Sequence, residues 1–407
     1  MKNRLTGAVV AICSSLFLQG AVAGEGKIKI GVLTDLSGPA ADIGKGSVAS
    51  AQIAVEEFGG KLLGKDIEVI FGDTGNKADI AAGVARQWID VEKVDVLVDL
   101  GLTNTALAVL PIAADKNKIA IAVAPAGTAI TNEACTATSI HWMYDTYALA
   151  AGTSKVLIDK GFKDWYFVTT DYSFGHALEK DASEFINGNG GKVLGSVRHP
   201  FNVSDMSSFM LTAQASKAQV IALANSNNDA VNAIKAAREY GITPKQYIAP
   251  LVVYLSTVHG MGLDLAQGLD LAQGLYLTEG FYWDQDERAR AFAEKFKAKM
   301  KAMPGSLPAG TYSAVLNYLK AVQAAGSDDT AAVLKQLRSA KIDDAVIRNG
   351  RIREDGRLVH DMYVFQVKTP AESKAPYDYY KTVGIVKGDD AFQPIAKSRC
   401  PLLKKPG

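Results

Sequence analysis

The residues whose types could do chemistry are few and scattered. The five histidines, His141, His176, His199, His259 and His360, show no H-E-x-x-H spacing and no other close ligand pair, so no metal site is expected. No G-x-S-x-G elbow marks a nucleophile. Gly38 to Gly44-Lys45 looks like a phosphate loop. Its glycines are one residue too far apart, however, and Gly46 stands where Ser or Thr would hold Mg²⁺. No G-x-G-x-x-G follows a strand. Asp171, His176 and Glu179 come nearest to an acid–base group, and a plain helix start explains them better. The expectation is a binder, with no catalytic residue, no cofactor and no metal.

The small and hydroxyl residues say more. Leu36–Gly44, Leu100–Thr105 and Ala124–Thr128 each follow an apolar strand and let backbone N–H groups approach a ligand closely. In open parallel sheets ligands bind beyond the carboxyl ends of strands, against helix N-termini that favour negative charge. Three such loops in one lobe favour a carboxylate-binding edge.

The elements that must position these loops alternate. Ile28, Ile30 and Val32 alternate as in a strand, and Val48, Ala51, Val55 and Phe58 recur at helical spacing before Gly59-Gly60. Ile67–Phe71, Val94–Leu100 and Ile119–Val123 read as further strands, with Asn76 as a plausible cap for the helix carrying Ile80, Val84 and Trp88. The grammar restarts after about Tyr144 and later returns to long helices. The fold class is therefore α/β, with two doubly wound parallel-sheet lobes.

The chain has 407 residues, more than one core holds, and 44 basic against 43 acidic residues argue against nucleic acid as a partner. Lys2 and Arg4, an apolar stretch to Leu18 and Ala21-Val22-Ala23 read as a signal peptide over 1–23, hence a periplasmic or otherwise exported protein. In that oxidising space Cys135 and Cys400 are expected to pair, unless the fold keeps them apart. A tandem repeat, Gly262–Gln267 then Gly268–Gln273, reads as a lengthened surface loop.

Ile28-Lys-Ile-Gly-Val-Leu-Thr-Asp-Leu-Ser-Gly-Pro-Ala-Ala-Asp-Ile-Gly44 resembles the opening of the branched-chain amino-acid (Leu/Ile/Val) periplasmic binding proteins of ABC transporters. Ala124–Thr128, Asp171–Gly175 and Ala236–Ile242 resemble later blocks of that family, in the same order. The resemblance implies a type I periplasmic binding protein fold with three hinge crossings. It divides the chain into 24–143 plus 278–353 and 144–277 plus 354–407. It also implies a monomer that captures a small molecule and delivers it to a membrane permease.

By the same resemblance a ligand carboxylate meets Leu102, Thr103, Asn104, Ala126, Gly127 and Thr128, with Ile43 against its apolar part. Phe174 closes over it, Asn225 and Ser226 face it, Tyr144 and Asp145 lie near the first hinge, and Tyr312 approaches the cleft. The departure is at Pro250-Leu251, where amino-acid binders carry a Glu for the ligand's ammonium. Losing a buried partner costs ~3–5 kcal/mol, roughly two to four decades of affinity. The expectation is a carboxylate without an α-amine, aromatic or aliphatic, since some relatives are thought to take aromatic acids. A true branched-chain amino-acid receptor is the alternative, and a sensor module or a secreted enzyme is a more distant one.

Overall fold

Alternation along the first strand sets the architecture. In β1 (Lys27–Thr34), Ile28, Ile30 and Val32 enter one buried cluster and Leu33 enters another. A strand buried on both faces needs helices above and below. The computed structural model describes residues 26–261 and 269–403. The expected signal peptide and the first copy of the repeat lie outside them.

The first sheet is built from β1, α1 (Ala41–Phe58), β2 (Lys61–Leu62), β3 (Lys65–Asp73), α2 (Ala78–Gln87), β4 (Val96–Asp99), α3 (Thr103–Asp115), β5 (Ile119–Ala122) and β6 (Ser139–His141). Its order is β2-β3-β1-β4-β5-β6, parallel except for β2. Asn76 does not cap α2. It sits in the left-handed region at φ 56°, and Lys77 holds the cap position without a side-chain bond.

The second sheet follows from α4 (Thr146–Asp159), β7 (Asp164–Thr170), α5 (Ser173–Gly188), β8 (Lys192–His199), α6 (Ser207–Ala215), β9 (Val220–Ala224), α7 (Asn227–Glu239) and β10 (Tyr247–Pro250). Its order is β10-β9-β7-β8, all parallel. Next come α8 (Leu255–Gly260), α9 (Leu269–Ala272) and β11 (Tyr276–Glu279). The short helix α9 falls in the second copy of the repeat, which is therefore not a plain loop.

The chain then returns to the first lobe. Helices α10 (Glu287–Met300) and α11 (Ser306–Ala325) pack on α1, and α12 (Thr330–Ser339) packs on α11. A hairpin of β12 (Arg351–Ile352) and β13 (Leu358–Val359) leads to β14 (Met362–Val367) and β15 (Tyr380–Val386). These two join β11 in an antiparallel sheet, order β11-β14-β15. After α13 (Gly388–Ala391) the tail runs back to the segment between β5 and β6, where Cys400 is bonded to Cys135. The Arg399 amide donates to Asn132 beside it.

The three passages between lobes are closed by buried polar groups. Arg357 is fully buried and donates to the carbonyl of Tyr144 at 2.9 Å. His360 bonds the Met143 carbonyl. At the second passage Ser306, the first residue of α11, donates to Glu279 at the end of β11. Burial pushes the Glu279 carboxyl up to about 7.

Candidate functional site

Each lobe repeats one local device, a strand running into a helix whose start is pressed against the strand's end. On Gly44 of α1 a Cβ would stand 1.9 Å from the Asp35 carbonyl oxygen, and on Gly175 of α5 one would stand 2.1 Å from that of Thr170. Only glycine permits either approach. At the end of β4, Asp99, Leu100 and Gly101 take φ of 77°, 71° and 67°, three left-handed residues in succession. This turn costs strain and swings the start of α3 toward the cleft. The Thr105 hydroxyl secures it, donating to the Leu100 carbonyl at 2.7 Å.

The result is a convergence of helix starts. The residues at the cap positions of α1, α3, α5, α7 and α8 are Ala40, Leu102, Tyr172, Ser226 and Tyr254. All five line one pocket between the lobes. None of these five cap residues bonds its helix through its own side chain, although at α3 the Thr105 hydroxyl accepts from the Leu102 amide at 2.9 Å. By contrast Asp145, Asp286 and Asp329 cap α4, α10 and α12 through the amides of Ala148, Ala289 and Ala332. First-turn N–H groups have no acceptor within their own helix. Uncapped helix starts aimed at one point create a positive potential there and favour an anion.

The walls differ in chemistry. On the first lobe Thr34, Asp35, Ile43, Leu102, Thr103 and Ala126 line the pocket. The Asp35 carboxylate is already engaged, accepting from the amides of Gly38 at 2.8 Å and Ala40 at 3.0 Å. The Thr103 hydroxyl accepts from the Gly127 amide at 3.1 Å. The second lobe offers rings. Tyr172 and Phe174 stand 5.8 Å apart, centre to centre, and Tyr172 packs edge-on against Phe201. Tyr144 donates to the Ala124 carbonyl at 2.9 Å, and its hydroxyl lies 2.7 Å from that of Tyr254. Burial pushes both tyrosines well above the ordinary phenol range, so they act as neutral hydroxyls. Tyr172 lines the pocket beside them.

Seven residues singled out from the sequence line this pocket: Ile43, Leu102, Thr103, Ala126, Tyr144, Phe174 and Ser226. The others are engaged elsewhere. Asn104 turns its amide to the Asn76 carbonyl at 3.1 Å, although its own backbone N–H belongs to the first turn of α3. Gly127 spends its amide on Thr103. The Thr128 hydroxyl donates to Asp181 of α5 at 3.0 Å. Asp145 caps α4 and faces Arg357 at 3.7 Å. Asn225 is buried and bonds His199 at 3.1 Å. Leu251 is 1% exposed in the core. Tyr312 packs at a tilt on Phe292, with ring centres 4.5 Å apart, and donates to Glu57 at 3.0 Å, away from the cleft.

Sequence reading did not single out Asp35, Tyr172, Asn227 and Leu307 as site residues, yet all four line the pocket, and Tyr254, expected only as stacking surface beside Phe174, Tyr144 and Trp142, lines it too. Tyr172 and Tyr254 each fill the position just before a helix, and that shared position was the available signal. Among the described residues no group of three or more His, Cys, Asp or Glu could hold a metal ion. No described helix is long and apolar enough to cross a membrane.

Comparisons with known proteins agree with this geometry. A family model described as "Periplasmic binding protein" matches residues 27–374. The Leu/Ile/Val-binding protein homolog 6 of Brucella suis is 28% identical over 218 residues, 53% of this chain and 55% of its own length, so the chain spans about half the length of the curated relatives it matches. Among solved structures, a periplasmic binding protein from Burkholderia mallei is 49% identical with a TM-score of 0.89, covering 94% of this chain and 100% of its own. A protein from Burkholderia xenovorans, described as a branched chain amino acid ABC transporter periplasmic ligand-binding protein, is 38% identical with a TM-score of 0.83, covering 92% of this chain and 100% of its own. With the family model covering most of the chain and the two-sheet architecture shared throughout, the chain belongs to the periplasmic binding protein family, with the type I fold.

Proposed function

We propose that this chain is the periplasmic solute-binding component of an ABC importer, and that it captures a small carboxylate lacking an α-amine. The observation that carries the reading is the meeting of five uncapped helix starts at one interlobe pocket whose second-lobe wall is aromatic. The ligand carboxylate lies against the first turn of α3, with the backbone amides of Thr103 and Asn104 as donors. Ile43, Leu307, Tyr172 and Phe174 cover its apolar body. The first lobe binds the acid in the open form, and contacts from Tyr172, Phe174 and Ser226 then favour closure by differential affinity. The closed shape is what a membrane permease reads, and no residue of this chain has to catalyse a reaction. The hinge divides the chain into 24–143 with 278–353 and 144–277 with 354–407, and the protein acts as a monomer in the periplasm.

An amino-acid receptor is the second reading, and Asp35 is the observation that favours it. Its carboxylate lines the pocket and could face an ammonium. Both its oxygens already accept backbone amides, however, which weakens its pull on a further cation. Mass spectrometry of the small molecule released on denaturing protein taken from its native periplasm separates the readings. An acid without nitrogen supports the first, and an α-amino acid supports the second and overturns the first.

A further inference from the structure

The free space of the cleft does not end where the helix starts meet. Ile43, Tyr254 and Leu307 line the pocket on one side and a second cavity on the other. The pocket has a volume of about 30 Å³ and the second chamber about 300 Å³. The chamber is also formed by both lobes. From the first lobe come Phe296 and Met300 at the end of α10, and Met303 just beyond it. From the second come His259 and Tyr377, whose rings stack at 4.0 Å between centres. His259 is fixed in that stack by a 2.9 Å bond to the Tyr379 hydroxyl. Asp42 and Lys45, both exposed, form part of the rim.

These features decide what the chamber suits. Phe296, Met300, Met303, Leu307 and Tyr377 give its wall thioether, aliphatic and ring surface, with Ser256 and Ser306 set among them, and a mainly apolar, adaptable lining suits a hydrocarbon arm. The three residues common to the pocket and the chamber, Ile43, Tyr254 and Leu307, form the wall between them. A molecule held by its carboxylate at α3 therefore has this chamber beside it, across Tyr254.

We propose that this chamber is a second subsite of the cleft, taking the apolar arm of an elongated carboxylic acid whose head occupies the pocket. The proposal rests on the carboxylate reading given above. It narrows the ligand class to acids with a chain or ring several carbons from the carboxylate, such as aryl-alkanoates. A ring so placed stacks among Phe296, Met303 and Tyr377, and each methylene threaded past Tyr254 leaves water.

Calorimetric titration of the full-length mature protein with butanoate, 3-phenylpropanoate and 5-phenylpentanoate tests this directly. Affinity is expected to rise, by roughly fourfold per buried methylene, until the ring fills the chamber. Met303→Trp occupies the chamber from its first-lobe side and is expected to abolish the rise while leaving butanoate affinity unchanged. Ala302→Trp, from a neighbouring half-buried position, provides an independent block should the first variant fold poorly. Equal affinities along the wild-type series, with butanoate bound, would overturn the subsite and leave the carboxylate reading standing. So would a rise that survives in a folded blocked variant. If no acid of the series binds, the carboxylate reading falls and takes the subsite with it.

Discussion

The turns from β1 into α1 and from β7 into α5 are the same backbone device with opposite chemistry. Each presses a glycine, Gly44 or Gly175, onto the carbonyl of a residue at the end of the preceding strand. In the first turn Asp35 folds back on the amides of Gly38 and Ala40 and makes a rigid polar floor. In the second, Tyr172 and Phe174 stand at the helix start and make an apolar cover. One geometry repeated in two lobes thus yields a wall that fixes position and a wall that excludes water. Recognition of an acid needs both, because an anion held by helix starts gains most where the surrounding dielectric is low.

The comparison breaks most severely at the glycines. Gly44→Ala and Gly175→Ala drive a methyl into backbone that cannot yield, and each is expected to cost about 3 kcal/mol or more in urea unfolding. Gly83→Ala in α2, where a Cβ meets nothing within 4 Å, is expected to gain up to about 1 kcal/mol instead. Equal effects at all three positions would mean that the close approaches do not matter.

The next effect lies where the two walls are tied. Asp181 of α5 accepts from Thr128 of the first lobe and from Thr146, and burial pushes its carboxyl up to about 6. A folded value above the unfolded one means that stability is fullest below about pH 4 and is lost as pH rises through about 6. The loss is on the order of 2–3 kcal/mol. A melting temperature followed from pH 4 to pH 7 is expected to fall in the wild type and to fall less steeply in Asp181→Asn, the remaining slope coming from Glu279 and Asp99, whose carboxyls burial also raises. A parallel fall in both would assign the titration to another group.

Smaller still is the cover itself. Tyr172→Ala is expected to weaken acid binding by about 2 kcal/mol, roughly thirtyfold, by removing ring surface from the ligand. Thr128→Val sharpens the contrast from the other side. Because that hydroxyl points to Asp181, the change is expected to move acid affinity less than threefold in calorimetry while lowering the melting temperature. A large affinity loss would return Thr128 to the ligand.

These residues also show what could be read from the sequence. Alternation in β1 and the apolar runs at β4 and β5 announce strands buried on both faces, and the loops and first helical turns after them hold Ile43, Leu102, Thr103 and Ala126 at the pocket. Which side chain of a loop turns inward was not legible. Leu251 and Tyr254 are three residues apart, and only packing decides that the first enters the core and the second the cleft. The family resemblance puts Tyr312 near the cleft, yet helix α11 turns it toward Phe292. Thr128 and Asp181 are distant in sequence, and no local pattern marks their bond. The disulfide was legible as a compartment argument, and with it the tie between the tail and the loop near Thr131–Thr138, whereas the Arg399–Asn132 bond beside it depended on the fold.

The central claim is that the cleft holds an anion at helix starts and offers no free negative partner for an amine. Titrating the protein with 3-phenylpropanoate and with L-phenylalanine isolates that claim, because the two share a skeleton and differ by the α-ammonium. The acid is expected to bind at least ~100-fold more tightly, the cost of an unpaired buried charge. Phenylalanine binding as tightly as the acid, or more so, would contradict the account.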